Sequence, residues 1–277
     1  MAKKPSFLSG FDLRRRWRPQ HETASRSRSQ PFRHHGSGRF WWHTLRNTDY
    51  VPPVYARLSD QEWALMAEWF SVTQANNTIG EINVPAMDFI QGLILGNGIQ
   101  RIVQLGHFCG YSALLIGFML RAMRAKPGLI SFDIAQEVTS FTQQWVAKAG
   151  LTEYVKLVVA DSASETAYDT AKLFLNGDPE LILVDSSHQY AHTLAELDLW
   201  AARMKVHSIM LLHDTSQFAS NYDPAGAGGV ARALEEWLPA HPEFGYINLN
   251  RHVQLGADGN DLVYKDGCGL GILQRQR

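Results

Sequence analysis

Five short aliphatic and β-branched runs recur through the middle of this chain, at residues 101–105, 129–132, 155–159, 181–184 and 208–212, each about 26 residues after the last. Stretches with helical apolar spacing lie between them at 113–126, 137–149, 163–176 and 192–203, and another follows the fifth run at 229–238. Unbroken apolar strands separated by helices imply βαβ units and a parallel sheet covered on both faces. No internal sequence repeat accompanies the period, so it is a winding pattern and not a solenoid. The tail differs: 246–249, 261–264 and 270–273 read as strands joined through Gly-rich turns, which suits an antiparallel edge. The expectation is an α/β, open, doubly wound sheet that binds ligands at the C-terminal ends of its strands.

Upstream, Ser59 and Glu62 form a capping box ahead of Trp63, Met66, Ala67 and Phe70, which predicts a helix. A second helix over 85–95 stops at Gly96-Asn97-Gly98. The first fifty residues keep no period and contain RRRWR at 14–18 and SRSRS at 25–29. They hold 11 Lys/Arg against 3 Asp/Glu, and the remainder 15 against 24, so a net charge of −1 divides into an arm at +8 and a body at −9. Phe7, Phe11, Trp17, Phe40, Trp41 and Trp42 make the arm too aromatic for a plain solvated tail.

Several classes drop out. Apolar residues at 45% and charged residues at 19% are globular usage. Two cysteines, Cys109 and Cys268, are too few for a disulfide scaffold or a Cys-based zinc site, and a reducing compartment is the simplest setting. The longest apolar run, 113–120, is far short of the ~20 residues of a membrane span, and no apolar region follows Lys3 and Lys4 as in a secretory signal. The expectation is a soluble cytoplasmic protein.

The strand ends carry the candidate chemistry. Gly106 and Gly110 allow a tight turn and close approach to a ligand, and Ser112 stands where it would cap a helix that attracts negative charge. The spacing is not the G-x-G-x-x-G of a dinucleotide site, and a simple connecting turn is the plainer alternative. Asp133 ends the second run about 20 residues beyond the turn, where an acid commonly holds ribose hydroxyls; a helix N-cap is the competing role. Asp161 and Ser162 end the third run, and Asp161 suits an adenine amino group or another helix cap. Asp185 opens D-S-S-H with His188 three residues on, and the fifth run ends in His213-Asp214-Thr215. Two carboxylates from neighbouring strand ends can share a hard divalent cation with a substrate hydroxyl. Cys109, Tyr111, His192 and Asp198 read as packing or surface residues, and His107 equally as a ligand contact or a structural hydrogen bond. The segment 215–229 reads as a flexible substrate loop.

Residues 104–113, QLGHFCGYSA, resemble motif I of class I S-adenosylmethionine-dependent O-methyltransferases, close to the LGxxCGYSA form of the catechol O-methyltransferases. LILVDSSHQYAHTLAELDLW at 181–200, SIMLLHDTS at 208–216 and GLGIL at 269–273 are similar to the cephalosporin hydroxylase and macrocin (sugar) O-methyltransferase group. The resemblance runs from about Asn83 to the C-terminus and omits the arm. It implies a Rossmann-like, mostly parallel seven-stranded sheet with an antiparallel C-terminal strand, extended by N-terminal helices. It implies that Gly106, Gly110 and Ser112 border the methionine part of S-adenosylmethionine, Asp133 binds the ribose, Asp161 and Ser162 face the adenine, and Asp185 borders the cofactor. It further implies Mg²⁺ or Mn²⁺ at Asp185 and at a pair from the fifth strand end, either His213–Asp214 or Asp214–Thr215. A base follows three residues after Asp185, where this chain has His188, an imidazole that titrates near neutral pH. Asp185 and His188 are thus the expected catalytic residues.

Two departures stand out. Gln104 occupies the place of the family's acid, though an amide still accepts and donates hydrogen bonds. The fifth strand end supplies one carboxylate instead of two, and His213 suits Mn²⁺, Fe²⁺ or Zn²⁺ better than Mg²⁺.

The expected activity is methyl transfer to a hydroxyl of a small molecule: a sugar, a phenol or a secondary metabolite. The expected organisation is an arm at 1–50, N-terminal helices at 51–98 serving as lid or contact in a homodimer, and a methyltransferase domain at 99–277. Arg interleaved with Trp suits phosphate and base contacts, so an RNA or protein methyltransferase using the arm is one alternative, and a non-catalytic cofactor-binding protein another. An acidic body repels a polyanion and can itself neutralise the arm, which favours the small-molecule expectation.

Overall fold

The computed structural model describes residues 50–254 and 261–277. The expectations for the arm fall on 1–50 and so lie, but for Tyr50, outside the described residues. The chain forms helices α1 (Pro53–Ala56), α2 (Asp60–Ala75) and α3 (Val84–Asn97), then alternates strand and helix. The order is β1 (Ile102–Leu105), α4 (Tyr111–Met123), β2 (Leu129–Asp133), α5 (Gln136–Lys148), β3 (Val155–Val159), α6 (Glu165–Leu175), β4 (Leu181–Val184), α7 (Tyr190–Trp200) and β5 (Ile209–His213). It closes with α8 (Gly229–Trp237), β6 (Phe244–Leu249) and β7 (Leu270–Arg275). The seven strands lie in the order β3-β2-β1-β4-β5-β7-β6. β1 to β5 are parallel, and β7 runs antiparallel to both β5 and β6. The expected strand at 261–264 does not form: this stretch is turn-like and leads into β7.

Strand residues alternate faces, and the core divides accordingly. Ile102, Leu129, Leu181 and Leu183 pack with α1 to α5, and Val103, Leu105, Ile130, Ile182 and Val184 pack with α6, α7 and α8. The N-terminal helices therefore share one core with α4 and α5. The capping box at Ser59 forms as read, with Ser59 Oγ accepting from the Glu62 N–H and the Glu62 carboxylate accepting from the Ser59 N–H. α3 ends at Gly98 in the left-handed conformation, again as the Gly-Asn-Gly signal requires.

The chain winds outward from β1 to β3, then returns to lay β4 on the other side of β1. Adjacent strands whose connections leave in opposite directions open a crevice at their C-terminal ends. The loops after β1, β4 and β5 meet there.

Candidate active site

The glycine loop after β1 is gripped from three sides. The Asp133 carboxylate accepts from the N–H groups of Phe108 at 2.9 Å, His107 at 3.3 Å and Ala135 at 3.0 Å. Trp69 of α2 donates its indole N–H to the Cys109 carbonyl at 2.8 Å, and Thr142 of α5 donates to the Phe108 carbonyl at 2.8 Å. Gly106 has φ +86°, and a Cβ there would lie 2.0 Å from the Asp185 carbonyl oxygen. That glycine is what lets the β1 and β4 loops touch.

Ser112 is not the cap. Gly110, left-handed at φ +91°, takes that position, and buried Ser112 Oγ accepts instead from Gln104 Nε2 at 2.6 Å. Gln104 Nε2 also donates to the Gly106 carbonyl at 2.7 Å. Its Oε1 is buried with no hydrogen-bond partner among the described residues. A buried acceptor left unpaired costs about 1–3 kcal/mol, so this atom awaits a donor.

Asp161 accepts from the Ala163 N–H at 2.9 Å and stays exposed at the end of β3. Ser162 turns inward, to Glu196 Oε1 at 2.5 Å and His192 Nε2 at 3.0 Å, while Ser186 donates to Glu196 Oε2 at 2.8 Å. Fully buried Glu196 thus ties the ends of β3 and β4 together. His107 is structural, its ring held between Ser131 and Thr139, and burial lowers its pKa to about 4.

The ends of β4 and β5 bring Asp185, His188, His213 and Asp214 together. His188 Nδ1 lies 2.8 Å from Asp214 Oδ2, and His213 Nδ1 lies 3.3 Å from the same oxygen and 3.5 Å from Asp185 Oδ1. Thr215 is turned away, its hydroxyl donating to Asn248 Oδ1 at 2.8 Å, so His213–Asp214 is the pair that converges on Asp185. His188 and Asp214 both have positive φ, +57° and +60°, an uncommon conformation for residues with side chains.

Burial alone would lower the His188 pKa, but the hydrogen bond and charge of Asp214, with Asp185 behind it, raise it overall. Burial opposes charge on His213 too, yet Asp214 and Asp266 outweigh it and hold its pKa well above the usual value. The centre among these carboxylates demands positive charge, from a proton or a cation.

Four participants were not legible in the sequence. Fully buried Asp266 takes His213 Nε2 at 2.9 Å, the Asn83 side-chain amide at 2.7 Å and the Cys268 N–H at 3.0 Å. Cys268 offers its sulfur beside His213 and Asp214, and burial pushes the thiol pKa up to about 12. Tyr222 stands edge-on to His188 with ring centroids 6.0 Å apart. The 215–229 segment is pinned and not loose: Asp223 accepts from the N–H groups of Tyr190, Ala225 and Gly229.

Residues 103–215 match the family described as a methyltransferase domain. No curated protein sequence matches the chain. Among solved structures, the O-methyltransferase from Bacillus cereus in complex with SAH is 16% identical, with a TM-score of 0.57 over 79% of this chain and 93% of that one. The O-methyltransferase TomG from Streptomyces achromogenes, bound to SAM and involved in tomaymycin synthesis, is 15% identical, with a TM-score of 0.56 over 80% and 92%. An SAH-bound methyltransferase from Podospora anserina is 14% identical, with a TM-score of 0.57 over 79% and 89%.

Proposed function

We propose, from the methyltransferase-domain match over residues 103–215 and the fold shared with solved O-methyltransferases, that this chain is an S-adenosylmethionine-dependent O-methyltransferase that methylates a hydroxyl of a small molecule such as a sugar, a phenol or a secondary metabolite. The observation that carries this reading is the His188–Asp214 pair beside the glycine loop. With Asp214 accepting at Nδ1, Nε2 bears the lone pair that takes the hydroxyl proton as the oxygen attacks. The glycine loop and strand ends hold the two reactants in line.

The residues fit the cofactor. The unpaired Gln104 Oε1 suits the N–H donors of an amino-acid ammonium beside Gly106 and Gly110. Asp133 has used three acceptor positions on backbone N–H groups, and its remaining capacity suits a ribose hydroxyl. Exposed Asp161 suits the adenine amino group, whereas Ser162 is engaged with Glu196 and acts through the shape of the turn. Asp185, His213 and Asp214 would hold a divalent ion, whose chemistry is to lower the pKa of the acceptor hydroxyl and orient it.

Calorimetric titration with S-adenosylmethionine and S-adenosylhomocysteine, with and without Mg²⁺ or Mn²⁺, tests the cofactor, and a panel of hydroxyl acceptors tests the reaction. His188→Ala should keep cofactor affinity and lose roughly 10²–10⁴-fold in turnover. Full turnover in that variant would remove His188 as the base, and no binding of either nucleoside would remove the whole reading.

A further inference from the structure

We propose that Cys268 completes the group at the ends of β4 and β5 as a thiolate ligand, making it a site for a borderline-soft transition ion of the Zn²⁺ type. This rests on the metal-assisted reading above and names the class of ion. The first argument is the disposition of donor atoms. His213, Asp214 and Cys268 offer one atom each within 4.8 Å of one another, and Asp185 Oδ1 lies 3.5 Å from His213 Nδ1. The imidazole–carboxylate separations of 3.3 and 3.5 Å are those of neighbouring ligands that sit ~2.0–2.3 Å from a shared centre.

The second argument is orientation. One fully buried carboxylate, Asp266, takes His213 Nε2 on one oxygen and the Cys268 N–H on the other, so a single group orients the imidazole and anchors the cysteine's main chain beside it. A carboxylate on the far nitrogen of an imidazole is the usual support of a metal-binding histidine, because it fixes the tautomer and turns the near nitrogen inward. Asn83, at the start of α3, holds Asp266 in turn at 2.7 Å. The Cys268 carbonyl accepts from the Ser216 N–H at 2.8 Å, which fastens the cysteine to the turn after β5. Gly269, at φ +83°, permits this approach, since a Cβ there would lie 2.9 Å from the Ser216 nitrogen.

The third argument is ligand chemistry. Mg²⁺ takes oxygen ligands, whereas thiolate and imidazole select Zn²⁺ and its neighbours. The oxygen donor that could have restored a hard site, Thr215, is bonded to Asn248. On coordination the Cys268 thiol releases its proton to solvent. His188, outside the sulfur-bearing set, remains the base.

The full-length, metal-free protein titrated with Co²⁺ tests the assignment. Thiolate ligation gives a sulfur-to-cobalt charge-transfer band in the near ultraviolet, separate from the visible bands that report any bound Co²⁺. The wild type and Cys109→Ser should show both. Cys268→Ser should keep the visible bands, lose the charge-transfer band and bind Zn²⁺ at least roughly tenfold more weakly, and Asp266→Asn should weaken Zn²⁺ by roughly 10–100-fold. Visible bands without charge transfer in the wild type, a band that survives Cys268→Ser, or Mg²⁺ displacing Zn²⁺ at equal concentration would each overturn the proposal. Cofactor titration of the same preparations separates the two readings: nucleoside binding without sulfur ligation refutes this inference alone, and sulfur ligation without nucleoside binding refutes the methyltransferase reading.

Discussion

Gln104 shows how one residue's surroundings explain a departure from a motif. Its amide nitrogen is the donor that closes the glycine loop, to the Gly106 carbonyl and to Ser112. A carboxylate cannot donate, and it would set a negative oxygen against that carbonyl in a fully buried position. Gln104→Glu, although it restores the acid usual in motif I, should therefore cost about 1–3 kcal/mol of stability and weaken S-adenosylhomocysteine binding. Thermal unfolding and calorimetry on the pair of proteins check this. An unchanged midpoint with tighter binding would mean that the loop accepts a carboxylate. Asp133 works in the opposite sense: its negative charge satisfies backbone donors that the same loop leaves pointing at it.

At the scale of elements, the N-terminal helices are part of the site's foundation. α2 reaches the glycine loop through Trp69 and the Cys109 carbonyl, and Tyr55 and Tyr111 share a hydrogen bond of 2.6 Å between α1 and α4. α3 is tied to α1 by Asp88, which accepts from the Val54 N–H at 2.6 Å, and burial raises the Asp88 pKa to about 6. The folded state therefore holds its proton more tightly than the unfolded chain, so this group's contribution to stability falls as pH rises from about 4 to about 6 and stays lower above that. Asp88→Asn keeps an acceptor for Val54 without the charge. Its unfolding midpoint should equal the wild type's near pH 4 and exceed it above pH 6 by a few degrees, equivalent to about 1–2 kcal/mol after allowance for solvent screening. A constant difference across that range would assign the effect to packing. The rank of parallel strands was legible because each is a short, mostly aliphatic run between helical stretches, while 261–264 has strand-like residues but lies in a turn-like stretch ahead of β7.

For the whole molecule, charge is the feature with the clearest consequence. The body at −9 carries its strand-end acids at the crevice, and the arm at +8 lies outside the described residues. The arm has no assigned role, the lid or dimer contact being expected of the helices that follow it; if the arm supports that cover, deleting residues 1–38 should lower cofactor affinity or change the oligomeric mass. Sedimentation and calorimetry measure both, and a loss confined to nucleic-acid affinity would instead favour an RNA substrate. Among the described residues no helix is long and apolar enough to cross a membrane. The sequence by itself determined the winding of β1 to β5, the glycine turn and the acids at successive strand ends, because these depend on periods and neighbours within a few residues of each other. Only the tertiary structure decided that His213 and not Thr215 joins Asp185, that Gln104 faces inward with an unpaired oxygen, and that Asp266 and Cys268 belong to the site. His213 and Asp266 are 53 residues apart and Asn83 and Asp266 are 183 apart, so no local pattern encodes their meeting; the return of the chain as an antiparallel β7 beside β5 creates it.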